Sequence, residues 1–152
     1  MRRGVVLAAA AVLQLALVGV AVAPQLSGRL TGQDYPMRVQ PLDPIDPFRG
    51  AYVTLDYPGL QAVHESSLDR ELFVPLVERD GFWVAAGVTP TRPDDGPYLA
   101  CDGGGWAADC GIGSWFTSQE RAAELEQTLA RRGGVATVRI DDRGHATVVD
   151  VR

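Results

Sequence analysis

The feature that most constrains this chain is an uninterrupted apolar run from Gly4 to Ala23. These twenty residues carry no charge, and the one polar side chain among them is Gln14. A helix of about twenty residues is roughly 30 Å long, which is the thickness of the hydrocarbon core of a bilayer. The run therefore predicts a transmembrane helix that ends at Pro24 and contacts the lipid bilayer through residues 4–23.

The residues that flank the run indicate its orientation. Arg2 and Arg3 precede it, and cationic flanks resist translocation, so we expect a single-pass cell-membrane protein with a cytoplasmic N-terminus and an extracytoplasmic remainder. The alternative is a signal peptide that is cleaved after Ala23, which would give a secreted protein. Residues 21–23 fit the small-x-small cleavage pattern, but the run exceeds the usual apolar core of about 7–15 residues. This length favours an uncleaved signal anchor.

Charge excludes several function classes for the rest of the chain. Beyond residue 23 there are 12 arginines, no lysine and 19 acidic residues, for a net charge of −7. The missing lysine excludes Schiff-base enzymes, Ser–Lys dyads and phosphate-binding loops that depend on lysine. An acidic domain is also a poor partner for nucleic acid, which requires a basic face. We therefore expect no nucleic-acid binding.

The pattern along the chain predicts three parts. Residues 1–23 form the cytoplasmic stub and anchor, residues 24–36 form a linker that lifts the domain off the membrane, and residues 37–152 form an extracytoplasmic domain. Alternating apolar residues in this domain indicate six to eight short strands. The predicted fold class is mainly β (α+β), with a small antiparallel β-rich domain and one α-helix near the C-terminus.

Local signals place individual elements of the domain. We expect a hairpin around residues 79–81, with Pro75 restricting its first strand to a sheet edge, and a second hairpin formed by residues 135–151. Residues 97–101 and 112–116 are predicted to pair across a Gly-rich connection. Thr117 is the predicted N-cap of the C-terminal helix, because Glu120 completes a capping box with it. The predicted apolar stripe of this helix consists of Ala122, Leu125 and Leu129.

Residues 49–57, RGAYVTLDY, follow a lead-in PLDPIDPF at residues 41–48. This segment resembles the motif of the GDYXXLXY family of uncharacterised bacterial membrane-anchored proteins. The resemblance identifies Gly50, Tyr52, Leu55 and Tyr57 as the motif residues, and Ala51 stands where the family has aspartate. It implies no known activity, but it does imply a polytopic membrane protein as partner.

The motif has two interpretations. In the structural one, Leu55 and Tyr57 share one face of a strand and lie in the core. In the functional one, polar side chains around the strand entry form a binding rim for an unknown small molecule. The residues of this rim would be Asp43, Asp46, Arg49 and Tyr52.

Cys101 and Cys110 are the only cysteines, and an extracytoplasmic location favours a disulfide between them. The alternative, a thiol pair for zinc or redox chemistry, requires unusual spacing, and zinc would also require His64 or His145 to converge on it. Residues 94–96 and 102–109 contain aspartates but lack the ordered spacing of an EF-hand loop. We therefore predict no metal site and no cofactor.

The sequence gives only weak evidence for catalytic residues. His64, Ser66 and Asp69 are close in sequence, but triads are assembled from distant segments, and His145 is most simply an exposed hairpin residue. We assign no catalytic residue and expect a protein that is more plausibly not an enzyme. The predicted function is an accessory or interaction subunit of a membrane protein complex; the alternatives are a cell-envelope hydrolase and a secreted binding protein.

Overall fold

The computed structural model describes residues 2–41, 52–64, 71–103 and 108–152, without the side chains of residues 2–5, 8, 24–26, 28, 52, 62, 64 and 123. These residues form eight strands, three α-helices and one 3₁₀ turn, Pro58–Leu60. The helices are α1 (Arg2–Thr31), α2 (Gln61–His64) and α3 (Gln119–Arg132). The strands are β1 (Gln33–Pro41), β2 (Tyr52–Asp56), β3 (Glu71–Arg79), β4 (Phe82–Ala85), β5 (Tyr98–Asp102), β6 (Ser114–Phe116), β7 (Gly134–Ile140) and β8 (Ala146–Val151).

The strands form two antiparallel sheets, which confirms the prediction of a mainly antiparallel β fold. The larger sheet has the order β6-β2-β1-β7-β8, and the smaller one has the order β4-β3-β5. The edge strands β6 and β8 of the larger sheet contact each other, and α1 contacts β7 and β8. The larger sheet is therefore strongly curved, and α1 packs against the edge strand β8 and its neighbour β7.

Burial follows the two-residue period of the strands. Met37 and Val39 of β1 are buried while Arg38 and Gln40 are exposed. The core also contains apolar residues from both sheets and from α3. Its largest fully buried side chains are Met37, Leu72, Leu99, Leu129, Val53, Val74, Val138 and Val151. The two sheets and α3 thus share one hydrophobic core.

The hairpin formed by β3 and β4 confirms the sequence prediction. Asp80 and Gly81, its two central residues, have φ angles of 51° and 78°. Positive φ at both positions is typical of the tight turn whose twist matches antiparallel strands. Arg79 pairs with Phe82 directly beside the turn.

The prediction that Pro75 places its strand at an edge is wrong. β3 is the central strand of the smaller sheet, and Pro75 pairs with Tyr98 of β5. On the other side, Leu76 pairs with residue 85 and Phe73 pairs with Thr89, so three residues of the partner segment face residues 74 and 75 of β3. The proline carbonyl accepts a 2.8 Å bond from the amide of Ala86. Because the ladder bulges here, no proline N–H is needed.

The predicted pairing of residues 97–101 with residues 112–116 is also wrong. β5 pairs with β3 in the smaller sheet, and β6 pairs with β2 in the larger one. The chain crosses between the sheets, and the carbonyl of Gly113 accepts a 2.9 Å bond from the amide of Leu55. Proximity in sequence favoured a hairpin, but the two segments pair with strands of different sheets.

The predicted linker at residues 24–36 is helix and strand instead. α1 continues through Pro24 to Thr31, and β1 begins at Gln33. A proline removes one helical hydrogen bond, but the turns that follow it are fixed by contacts with the domain, described below. The C-terminal helix α3 is capped by Ser118 rather than Thr117, and its apolar stripe of Ala122, Leu125 and Leu129 is buried as expected.

Within the described part of the chain, no helix was found with both the length and the apolar character required to span a membrane.

Candidate functional site

The densest polar contacts lie where the C-terminal turns of α1 meet the turn between β7 and β8. We call this region the helix junction. It consists of Ser27, Arg29, Asp34, Arg139, Asp141 and His145.

Asp141 is the centre of the helix junction. Its side chain is fully buried, with 0% exposure. Oδ1 accepts hydrogen bonds from the backbone amides of Arg143 and His145, both at 2.9 Å. Oδ2 accepts a 2.6 Å bond from Ser27 Oγ and lies 3.1 Å from Nδ1 of His145. A buried carboxylate requires such donors, because a buried acceptor without a hydrogen bond costs about 1–3 kcal/mol of stability.

These donors set the protonation state of Asp141. Burial by itself raises the pKa of a carboxyl group, because it disfavours the charged form. The hydrogen bonds from Ser27, His145 and Arg143 outweigh burial and hold the pKa of Asp141 below its usual range. Asp141 is therefore an anion at neutral pH, and Ser27 connects it to α1.

A second connection joins the same elements. Arg139 of β7 makes a bidentate contact with Asp34 of β1, with N–O distances of 2.6 and 3.0 Å. Its third contact is a 3.1 Å bond to the carbonyl of Arg29 in the last turn of α1. The hydrogen bond from Arg139 lowers the pKa of Asp34. One guanidinium thus holds the helix end and the first strand together.

The turn that contains Asp141 is itself fixed. Gly144 has a φ of 82°, and its carbonyl accepts a 2.9 Å bond from the amide of Ala100 in β5. The carbonyl of Asp142 accepts bonds from Tyr98 Oη at 3.0 Å and from Arg92 at 2.7 Å. The β7–β8 turn therefore links the larger sheet, the smaller sheet and α1.

His145 also lines an open cleft of about 640 Å³ beside the helix junction. Glu71, Asp102 and Asp109 line the cleft, as do Cys101 and Cys110, which form a disulfide. The predicted disulfide is confirmed, with an S–S distance of 2.00 Å. Among the described residues, no group of three or more His, Cys, Asp or Glu side chains is placed to hold a metal ion.

The prediction that His145 is simply an exposed hairpin residue is wrong. Its side chain is 32% exposed, and Asp141 orients its imidazole through Nδ1. A His–Asp pair of this kind is the orienting half of a triad. However, Ser27 Oγ donates to the carboxylate of Asp141 and not to the imidazole. The arrangement therefore lacks the bond from serine to histidine that activates a nucleophile.

The strand motif contributes to the core. Leu55 and Tyr57 are 3% and 4% exposed, which confirms that they lie in the core. Tyr57 Oη donates a 2.9 Å bond to the carbonyl of Ile112, and burial raises the pKa of this phenol. Tyr52 pairs with Phe116 through the backbone of β2 and β6. The side chain of Tyr52 is not among those that the structure describes.

The other residues predicted for the motif and its rim, Gly50, Asp43, Asp46 and Arg49, lie outside the described residues, as do Ser66, Asp69 and the side chain of His64. The binding rim therefore stays a prediction.

The sequence interpretation missed the helix junction. Asp141 carried a usable signal, because an aspartate before Asp-Arg-Gly favours a side-chain-capped turn. Ser27 carried none, since it lies in a segment that looks like a linker. Their pairing spans 114 residues and depends on the tertiary fold.

A second cleft, of about 320 Å³, lies where α1 passes the edges of the larger sheet. Val22 and Arg29 of α1 line it together with Trp115 and Phe116 of β6. Thr147 and Val148 of β8 complete this wall. The cleft is thus a seam between the helix and the two edge strands.

Comparison with known proteins gives one match. A family model described as GDYXXLXY protein matches residues 14–151, which is nearly the whole chain. No curated protein matches the chain. No solved structure matches it either. The match includes α1 from residue 14 onward, both sheets and the helix junction, so the chain belongs to the GDYXXLXY family.

Proposed function

We propose that this protein is a membrane-anchored extracytoplasmic subunit that serves as an accessory or interaction partner of a polytopic membrane protein. The observation that carries the proposal is the division of α1 into two parts. Residues 6, 7 and 9–23 are exposed and almost all apolar, whereas Ser27 and Arg29 are bonded to the folded domain. The helix is therefore attached to the domain at one end and exposed at these preceding positions.

Exposure along α1 supports the membrane anchor. Ten of the twelve large exposed hydrophobic side chains in the described residues belong to this helix. Leu7, Leu15 and Val20 are 71%, 73% and 75% exposed. Covering one such side chain is favourable by about 1.5–3 kcal/mol, so leaving the whole surface in water is costly. Lipid would cover a helix that is apolar on all sides, and the charges at Arg2 and Arg3 favour a cytoplasmic N-terminus.

The helix junction supports an interaction role. A domain that is joined to its anchor without a flexible linker is held at a fixed height and in a fixed orientation. Such an attachment suits a subunit that packs against the outer face of a neighbouring membrane protein. The family resemblance to companions of polytopic membrane proteins points in the same direction.

The experiment is crosslinking in intact membranes. The full chain, tagged at its C-terminus, is crosslinked in cells, extracted with detergent and analysed by mass spectrometry. We expect the chain to resist alkaline carbonate extraction and to recover the same polytopic protein in each preparation. A control with Leu15→Arg and Leu17→Arg places two charges in the apolar surface and should release the protein from the membrane.

Two outcomes would contradict the proposal. A mature protein that begins at Pro24 and lies in the soluble fraction would identify a secreted protein instead. A membrane-embedded chain that repeatedly recovers no membrane protein would remove the interaction role.

A second candidate function, a cell-envelope hydrolase, is favoured by one observation. The imidazole of His145 lines the larger cleft and is oriented by Asp141, so it could act as a base toward a water molecule. Hydrolysis of a panel of ester and amide substrates by the full chain tests this candidate. Activity that disappears in His145→Ala, but not in the control Asp142→Ala, would support it; no turnover by the folded protein would eliminate it.

A further inference from the structure

We infer that the edge strand β6 rests on the outer surface of the bilayer, with Phe116 at the boundary of the hydrocarbon and Arg29 against lipid phosphates. The inference rests on the proposed membrane insertion of α1. It adds a second membrane contact, made by the folded domain itself.

Exposure distinguishes Phe116 from the rest of the domain. Among the described residues outside α1, two large hydrophobic side chains are exposed, Phe116 at 72% and Val77 at 37%. Phe116 lies on β6 in the larger sheet, and Val77 lies on β3 in the smaller one. A single exposed ring is not by itself a contact surface, but one that extends a neighbouring apolar surface contributes to a contiguous patch, and such patches mark contact surfaces.

The apolar surface of α1 continues onto β6. Val22 and Phe116 line the same seam cleft, together with Trp115 and Arg29. Val22 is itself 49% exposed and lies one residue before the end of the apolar run. The lipid that covers the end of the run would therefore also meet Phe116.

The continuity of α1 fixes the depth of Arg29 relative to that of Val22. Val22 lies at the outer end of the apolar run, and Arg29 follows seven residues later in the same helix. At about 1.5 Å per residue, Arg29 lies roughly 10 Å farther along the axis. The headgroup region extends about 5–8 Å beyond the hydrocarbon on each side. Arg29 is thus within reach of lipid phosphates, since a long arginine side chain extends toward them.

The chemistry of each residue fits its depth. Phenylalanine is among the apolar side chains that interfacial segments bury at the boundary between the headgroups and the acyl chains. A guanidinium binds phosphate through paired hydrogen bonds. The domain as a whole is acidic, so the attraction is confined to the cation beside the seam and does not require an anionic lipid. The occupant we infer is the phospholipid of the outer leaflet.

The test measures depth with a fluorescent label. The full chain is placed in phosphatidylcholine nanodiscs with a label on Phe116→Cys, and Val77→Cys provides the matched control. Both native cysteines are in the disulfide, so labelling is selective. Lipids with a nitroxide near the start of the acyl chain should quench the label at position 116 at least about twofold more than that at position 77. Aqueous iodide should show the opposite order.

Two results would overturn the inference while leaving the proposed function intact. Equal quenching at both positions in a chain that resists carbonate extraction would place β6 above the membrane. A label at position 116 that is shielded from both iodide and lipid quenchers would indicate protein contact instead. A chain that is extracted by carbonate would refute both the inference and the anchor.

Discussion

Ser27 Oγ donates a 2.6 Å hydrogen bond to Oδ2 of Asp141, 114 residues later in the chain. The bond joins the last turns of α1 to the turn between β7 and β8. The same carboxylate holds that turn together through the backbone amides of Arg143 and His145. Asp141 therefore serves two purposes, since it shapes the turn and attaches the helix.

Substitution of Asp141 should destabilise the domain. In Asp141→Asn the side chain keeps its size, but its amide nitrogen cannot accept the bond from Ser27. We expect a loss of about 2 kcal/mol in the free energy of unfolding, because hydrogen bonds to charged groups contribute about 1.5–3 kcal/mol. Urea unfolding of the full chain in detergent, followed by tryptophan fluorescence, measures this loss. Asp142→Asn, at the exposed neighbouring position, should change stability by less than about 0.5 kcal/mol. Equal effects of the two substitutions would contradict the role of Asp141.

The contribution of Asp141 should depend on pH. Its pKa is lower in the folded protein than in the unfolded chain, where an aspartate has a pKa of about 3.9. Its ionisation therefore stabilises the fold above that value, and the contribution is lost as pH falls through the lower folded pKa. The stability difference between the unsubstituted protein and Asp141→Asn should shrink as the pH falls below about 4. A difference that stays constant down to pH 2.5 would refute the assignment.

Loss of the disulfide should destabilise the protein moderately. Cys101 and Cys110 close a loop with a sequence separation of nine residues. The chain-entropy estimate for a loop this short is about 2–3 kcal/mol. Cys110→Ser with Cys101→Ser should therefore lower the unfolding midpoint in urea, and reductant should lower that of the unsubstituted protein by a similar amount. The double variant should not respond to reductant. If reductant left the unsubstituted protein unchanged, the bond would have no stabilising role.

A methyl group at Gly144 should not be tolerated. A Cβ atom there would lie 2.5 Å from the Tyr98 ring and 2.8 Å from the amide nitrogen of Ala100, at a φ of 82°. Gly144→Ala should cost about 1–3 kcal/mol, because both the backbone and the packing are strained. Gly113→Ala is the matched control, since a Cβ atom there has no neighbour within 4 Å. Thermal unfolding that ranks the two variants in the reverse order would contradict this account.

Local chemistry determined what could be predicted. The Asp80-Gly81 turn, the β7–β8 hairpin and the stripe of Leu125 and Leu129 are local patterns, and all three were recognised in the sequence. The prediction that Pro75 lies in an edge strand was wrong because a bulge in the neighbouring segment removes the need for a proline N–H. The predicted pairing of β5 with β6 was wrong because pairing across two sheets depends on the whole core. The Ser27–Asp141 bond could not be predicted for the same reason.

Continuity of α1 with the domain has a rotational consequence. Without a flexible segment between the apolar run and β1, turning the helix about its axis turns the domain by the same angle. Each residue of an α-helix advances the rotation by about 100°. If α1 spans a membrane as we propose, one residue inserted between the apolar run and Ser27 would therefore turn a different side of the domain toward a given direction in the plane of that membrane. The helical register of α1 thus sets the rotational orientation of the domain about the helix axis.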